Sequence, residues 1–275
     1  MSFVARAGSI VLGLLPLVIG CADPALGPFD PGDAPPLRPR SIRPGTGGVN
    51  GLSSADYHAH AMELVAAMGH QLVTGGTNDV SDDVVGTGLL PGGEAVLRYA
   101  AGCALPVGLT VTDGFSSFTG KRILTTADWQ LHALSPSAAD ALLACVIAHV
   151  NSTAGVDILL SGPNVRDDLG DHTDFDVAEA LFGVFPDTSG APEYHVWPLE
   201  PFASTCAVDP WEALKDRVCG PDPEACNFVP RYDLETHCVE DVPSNGYYCD
   251  GVPVIKTTLK SPQVHRLYPR CVPRP

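Results

Sequence analysis

The chain has few cationic side chains for its length. Its 275 residues include 16 Lys and Arg against 32 Asp and Glu, and the formal net charge is −16. Nucleic-acid binding depends on cationic side chains that neutralise phosphates, and no basic stripe offsets the excess of acids. The composition therefore predicts a protein that does not bind nucleic acid.

Hydrophobic runs long enough to cross a membrane are also lacking. The apolar stretch at residues 10–19 is far shorter than the roughly 20 residues that a membrane-spanning helix needs. It follows a single cation, Arg6, and ends in small and branched residues before Cys21. This order predicts a secretory signal peptide over residues 1–20.

The end of that segment, Val18-Ile19-Gly20-Cys21, resembles the lipobox of bacterial lipoprotein precursors. The resemblance implies cleavage before Cys21, acylation of Cys21 and attachment to the membrane through this N-terminal lipid. Ala22 replaces the Asp that often signals inner-membrane retention, so we expect a cell-envelope location, periplasmic or at the outer-membrane surface. An ordinary cleaved signal with an accidental Cys is the alternative. The remaining chain is similar only to uncharacterised Cys-rich surface lipoproteins, which implies no activity.

Motifs of catalytic sites are scarce. The sequence has no C-x-x-C pair, no H-E-x-x-H, no phosphate-cradling Gly loop and no nucleophile elbow at Ser116. Aromatic residues near 194–202 and in the tail are expected to fill the hydrophobic core of this region, and a glycan-binding surface is the alternative. We therefore expect a non-enzymatic binding or structural role in the envelope, with a protein or glycan partner that the sequence does not identify.

Nine cysteines are present, an odd number. If Cys21 carries lipid, an even set of eight remains, and in an oxidising compartment this predicts four disulfides. The spacing favours one bridge in the main domain, between Cys103 and Cys145, and three in the tail, whose six cysteines allow 15 pairings. The eight are Cys103, Cys145, Cys206, Cys219, Cys226, Cys238, Cys249 and Cys271.

The hydrophobic pattern predicts an α+β fold around a buried central helix at residues 136–150. Further helices are expected at 54–73 and 94–103, a hairpin near 107–114, and strands at 156–160, 181–185 and 194–197. The predicted organisation is a signal peptide (1–20), a Pro/Gly-rich tether (21–50), an α+β domain (51–205) and a Cys-rich, loop-rich C-terminal module (206–275).

Carboxylates crowd one short segment of the chain. Ca²⁺ takes six to eight oxygen ligands with loose geometry, so the segment is a candidate calcium site, although it lacks the register of an EF-hand loop. A solvated acidic surface is the alternative. The candidate ligands are Asp167, Asp168, Asp171, Asp174 and Asp176.

The alternative function is an exported metal-dependent hydrolase. The string Asp56-Tyr57-His58-Ala59-His60 has the D-x-H-x-H form of amidohydrolase-type metal enzymes. It opens a helical pattern, however, and His58 and His60 would then point about 200° apart around the axis. On a helix, Asp56, His60 and Glu63 share one face and are the best candidate metal ligands, or simply an exposed polar side.

Overall fold

A computed structural model describes residues 52–152, 156–166, 173–220 and 226–271, which all belong to one compact unit. Helices and β-sheets are both present, which confirms the predicted α+β class. The helices are α1 (Ser54–Met68), α2 (Asp82–Gly86), α3 (Glu94–Ala104), α4 (Pro136–Ala148), α5 (Glu200–Ala203), α6 (Pro210–Val218), α7 (Leu234–His237) and α8 (Ser261–Leu267).

The strands form a two-stranded and a seven-stranded sheet. They are β1 (Thr110–Thr112), β2 (Ser117–Thr119), β3 (Leu159–Ser161), β4 (Val177–Pro186), β5 (Pro192–Pro198), β6 (Phe228–Pro230), β7 (Cys238–Asp241), β8 (Gly246–Cys249) and β9 (Val252–Leu259). The large sheet has the order β6-β5-β4-β9-β8-β7, and β3 pairs with β9 beside β8. The β1–β2 hairpin confirms the hairpin predicted near residues 107–114.

Local signals start the longer helices where the sequence predicts them. The side chain of Ser135 accepts a hydrogen bond from the Ala138 N–H, and Pro136 occupies the first turn of α4. α1 is capped by Ser53, and it ends at Met68, five residues earlier than predicted. α3 begins at Glu94 as predicted.

α4 is the central helix of the core. All of its residues from Ala141 to Ala148 are buried, and it packs against α3, β4 and β9. A helix that is apolar on all sides needs neighbours on all sides, and these elements supply them. The prediction of a buried central helix is confirmed.

The seven-stranded sheet separates two hydrophobic clusters. Phe182, Val196 and Ile255 face the helices. Residues one position away, such as Leu181 and Trp197, form a smaller cluster on the opposite face. Close packing on this second face requires glycine in β4, because a Cβ on Gly183 would lie 2.7 Å from Phe185 Cε2 and 2.8 Å from Val254 Cγ1.

The sheet curls around this second cluster. Its edge strands β6 and β7 are five strand spacings apart, about 24 Å in a flat sheet. Residues 231–237 connect these two strands, and four of the residues form the single turn of α7. Because a helical residue advances only about 1.5 Å, this connection is too short to reach across a flat sheet. Leu234 of α7 packs into the cluster, and His237 contacts Asp250 at the turn between β8 and β9.

The Cys-rich segment contributes much of this sheet. β6 to β9 all lie after residue 205, and β9 runs between β4 on one side and β3 and β8 on the other. The sheet therefore continues across residue 205, and the tail contributes strands to it as well as disulfides and loops. Frequent Pro, Gly and Asp residues conceal its short strands in the sequence.

Candidate functional site

All eight cysteines of the described residues form disulfides. Cys103 pairs with Cys145 and links α3 to α4, as the sequence predicts. The structure selects one of the 15 possible tail pairings: Cys206–Cys271, Cys219–Cys226 and Cys238–Cys249. The last of these joins β7 to β8 directly across the ladder. Cys21 lies outside the described residues.

Two of the five candidate calcium ligands lie in the described part of the chain, and each contacts a neighbouring element. Asp174 forms an ion pair with Lys260, with 2.5 Å between Oδ2 and Nζ. Asp176 accepts hydrogen bonds from the backbone N–H and the hydroxyl of Ser261, at the start of α8. These two carboxylates therefore have structural partners. Asp167, Asp168 and Asp171 lie outside the described residues, and the calcium site stays a prediction.

The three candidate hydrolase ligands do not converge. Asp56 accepts a hydrogen bond from the Ser53 hydroxyl at the exposed start of α1. The ring of His60 lies against Gly92 and Gly93, since a Cβ on either glycine would lie 3.3 Å from that ring. Glu63 is half-buried one turn further on, and its side chain lies near Gly88. The metal site of the alternative hydrolase hypothesis is therefore not assembled on α1 in the described structure.

Among the described residues, one group of potential ligand atoms lies close enough for a common metal ion. It consists of Cys103, Cys145 and His149, whose ligand atoms lie within 4.8 Å of one another. The two sulfur atoms are bonded to each other and so are not available as thiolates. The group is a disulfide with a neighbouring imidazole, and it does not support metal binding in the oxidised chain.

His149 is the most strongly perturbed imidazole of this region. It follows α4, and its Nδ1–H donates to the carbonyl of Cys145 at 2.7 Å, while Nε2 is buried without a partner. Burial lowers its pKa to about 4, with a smaller contribution from the nearby cations Lys121 and Arg217 and against the effect of the hydrogen bond to Cys145. The ring of Tyr99 packs beside it, with 5.1 Å between centroids. His149 is therefore neutral at pH 7.

A second buried network joins the tail to the core, and the sequence pattern does not predict it. The Arg217 guanidinium donates to the Glu179 carboxylate at 2.7 Å and to the Val150 carbonyl at 2.8 Å. Tyr268 and Thr257 donate their hydroxyls to the same carboxylate. Burial raises the pKa of Tyr268 well above its ordinary value, so its hydroxyl stays protonated. No local pattern reveals these contacts, since Glu179 and Arg217 are far apart in sequence.

Polar groups also line the inner face of the curled sheet. His195 bonds Glu193 two residues away, with 2.5 Å between Nε2 and Oε2, and its ring stacks on Phe185. Lys256 is buried and donates its ammonium to the side chain of Asn245. Burial lowers the pKa of Lys256, and the nearby charge of Glu240 opposes that shift. These groups are anchored in pairs within the sheet.

Most aromatic candidates are buried. Tyr194, Trp197, Phe202 and Tyr268 belong to the two hydrophobic clusters, so they serve as core residues, as the sequence analysis favoured over a glycan platform. Tyr248 differs, because it is exposed on β8 beside the edge of the sheet. Its neighbourhood is the clearest exposed apolar area of the tail.

We call this area the β7 edge surface and define it by Val239, Glu240, Asp241, Val242 and Tyr248. Val239 and Tyr248 are direct cross-strand partners, and Val242 follows in a 3₁₀ turn. Val239 is 72% exposed and Val242 is 76% exposed. Apolar side chains grouped at a sheet edge are more typical of an interaction surface than single exposed residues elsewhere.

None of the helices in the described ranges has the length and apolar character needed to cross a membrane. No protein-family model matches this chain, and neither the curated proteins nor the solved structures include one that is detectably similar to it.

Proposed function

We propose that this chain is an exported lipoprotein, anchored in the membrane through Cys21, with a non-enzymatic binding or structural role in the cell envelope. The observation that carries the proposal is the pairing of all eight remaining cysteines into four disulfides. Disulfides form and persist mainly in oxidising compartments. With eight of the nine cysteines paired, Cys21 in its lipobox-like context is the one left for a different modification.

The architecture supports a stable extracytoplasmic domain. Three disulfides lie in the C-terminal part, and one of them, Cys206–Cys271, holds the last described residue beside the end of α5. Bridges of this kind typically contribute about 2–4 kcal/mol each. A cross-linked domain attached by an N-terminal lipid could keep its fold at the periplasmic or outer-membrane surface without further anchoring.

Binding is favoured over catalysis by where the exposed and the polar side chains lie. Several buried polar groups are engaged with one another, as in the network around Arg217, and His195 is hydrogen-bonded to the partly exposed Glu193. The β7 edge surface, in contrast, presents apolar side chains to solvent. A hydrolase built on Asp56, His60 and Glu63 would require these three side chains to converge, and they contact different segments.

Labelling with radioactive palmitate in bacteria that export the chain tests the anchor. We expect label on the wild type and none on Cys21→Ala. The control is Ala22→Ser, which leaves Val18 to Cys21 unchanged and should be labelled like the wild type. Equal labelling of the wild type and Cys21→Ala would contradict the lipid anchor.

A further inference from the structure

The β7 edge surface has the properties of a site for strand addition. β7 is the last strand of the sheet, and its pairing among the described residues is with β8. An edge strand presents unpaired backbone groups that an extended peptide can bind by continuing the sheet. β7 has four residues, so such a peptide would contact it over a short segment.

Apolar side chains are concentrated there. Nine large apolar residues of the described chain are exposed, and three of them lie within residues 239–248. Val239 and Tyr248 project from the same sheet face that the helices cover further along. An added strand would extend that face and place its own alternate side chains beside Val239.

The charge around this edge selects the partner. Residues 232–250 contain five acids and no Lys or Arg, and Arg231 immediately before them pairs with one of these acids, Asp233. Asp233 and Asp250 flank His237, whereas Glu240 and Asp241 lie on β7 itself. On the inner face, buried Lys256 offsets part of the Glu240 charge. A second copy paired antiparallel would bring like charges together, so self-association at this edge is disfavoured.

We propose that the β7 edge surface binds an extended segment of a partner protein in which apolar and cationic residues alternate, by adding it as a further strand beside β7. The apolar residues pack beside Val239 on one face of the added strand, and the cations lie on the opposite face, beside Glu240. This inference rests on the proposed binding role and names its partner class.

Fluorescence anisotropy tests the proposal with the full chain in neutral detergent. The probe is a labelled peptide of about eight residues, a length sufficient for one strand, that alternates Val and Lys. Its counterpart alternates Val and Glu. We expect saturable binding of the Lys peptide and at least about tenfold weaker binding of the Glu peptide, because charge complementarity sets specificity.

Variants locate the binding. Val239→Lys should weaken binding of the Lys peptide about tenfold, and Glu240→Lys with Asp241→Lys should reverse the preference towards the Glu peptide. Val107→Lys is the matched control, since Val107 is 65% exposed in the loop before β1. It should bind the Lys peptide as the wild type does. Unfolding midpoints for each variant confirm that the fold is retained.

Hydrogen exchange adds an independent measurement, since strand addition should slow exchange of the Glu240 amide when the Lys peptide is bound. Equal weakening by Val239→Lys and Val107→Lys would show diffuse attraction to the acidic chain and overturn the proposal. Absence of saturable binding by the wild type would overturn it as well. Palmitate labelling is read separately, so failure of the peptide experiment and failure of the lipid anchor are distinguishable.

Discussion

At the scale of single residues, the buried ion pair between Arg217 and Glu179 connects the tail to the core. Both side chains are almost fully inaccessible to solvent. Arg217→Met would leave the Glu179 carboxylate buried without a countercharge, which typically costs about 3–5 kcal/mol. We therefore expect the free energy of unfolding in urea to fall by about this amount.

The matched control lies on the same helix. Lys215 forms a more exposed pair with Glu212 at 3.7 Å, and Lys215→Met should change the free energy of unfolding by less than about 1 kcal/mol. Replacing Glu179 as well, as Arg217→Met with Glu179→Gln, should recover part of the loss. If Arg217→Met were as mild as Lys215→Met, the buried pair would not hold the tail.

Because of His149, we expect the free energy of unfolding to fall as the pH is lowered. Its pKa falls from 6.5 in the unfolded chain to about 4 in the folded protein, so the unfolded chain binds the proton more tightly. The contribution of neutral His149 to the free energy of unfolding is complete above about pH 6.5 and is lost as the pH falls towards 4. The shift corresponds to about 3 kcal/mol.

Urea unfolding between pH 7 and pH 4 measures this effect. His149→Asn removes the titration while an amide N–H can still donate to the carbonyl of Cys145. Its stability should decline less over this range than that of the wild type. His237 is half-buried and is the same in both proteins; its hydrogen bond to the Asp250 carboxylate raises its pKa. Parallel pH profiles for the two proteins would contradict the assignment to His149.

At the scale of secondary-structure elements, the disulfide between α3 and α4 constrains the core. Cys103 and Cys145 are buried and separated by 42 residues. Closing a loop of this length stabilises a fold by roughly 4 kcal/mol in the chain-entropy model and by about 2–4 kcal/mol in practice. We expect Cys145→Ser to lower the free energy of unfolding by about 2–4 kcal/mol.

The double variant provides the check. Cys103→Ser with Cys145→Ser should match Cys145→Ser alone, since each change breaks the same bond. In the single variant, Cys103 should become available to an alkylating reagent, whereas in the native wild type it should not react. Alkylation of Cys103 in the native wild type would contradict the pairing.

Elements with local signals were predictable from the sequence. Ser135-Pro136 and the apolar residues after them identify α4, and Asp113-Gly114 identifies the β1–β2 turn. β9 carries no such signal, because its role in the sheet depends on β4, which lies more than 60 residues earlier. The network around Glu179 is equally non-local. The β7 edge surface could not be inferred either, since exposure depends on which strand ends the sheet.

At the scale of the whole molecule, calcium binding stays a prediction that thermal unfolding can test. A ligand at 100 times its dissociation constant adds about 2.7 kcal/mol. The prediction requires a higher unfolding midpoint in millimolar Ca²⁺ than in EDTA. Asp174→Asn weakens the ion pair with Lys260, so its unfolding midpoint in EDTA measures the structural contribution of this carboxylate without calcium. Equal midpoints for the wild type would contradict a calcium site.

The central claim is that one cysteine is lipidated and the other eight are oxidised. Intact mass spectrometry of the chain extracted from bacterial membranes tests both parts directly. We predict a chain beginning at an acylated Cys21, with no alkylation before reduction and eight alkylated thiols after it. An unmodified Cys21, or a thiol that reacts without reduction, would contradict the account.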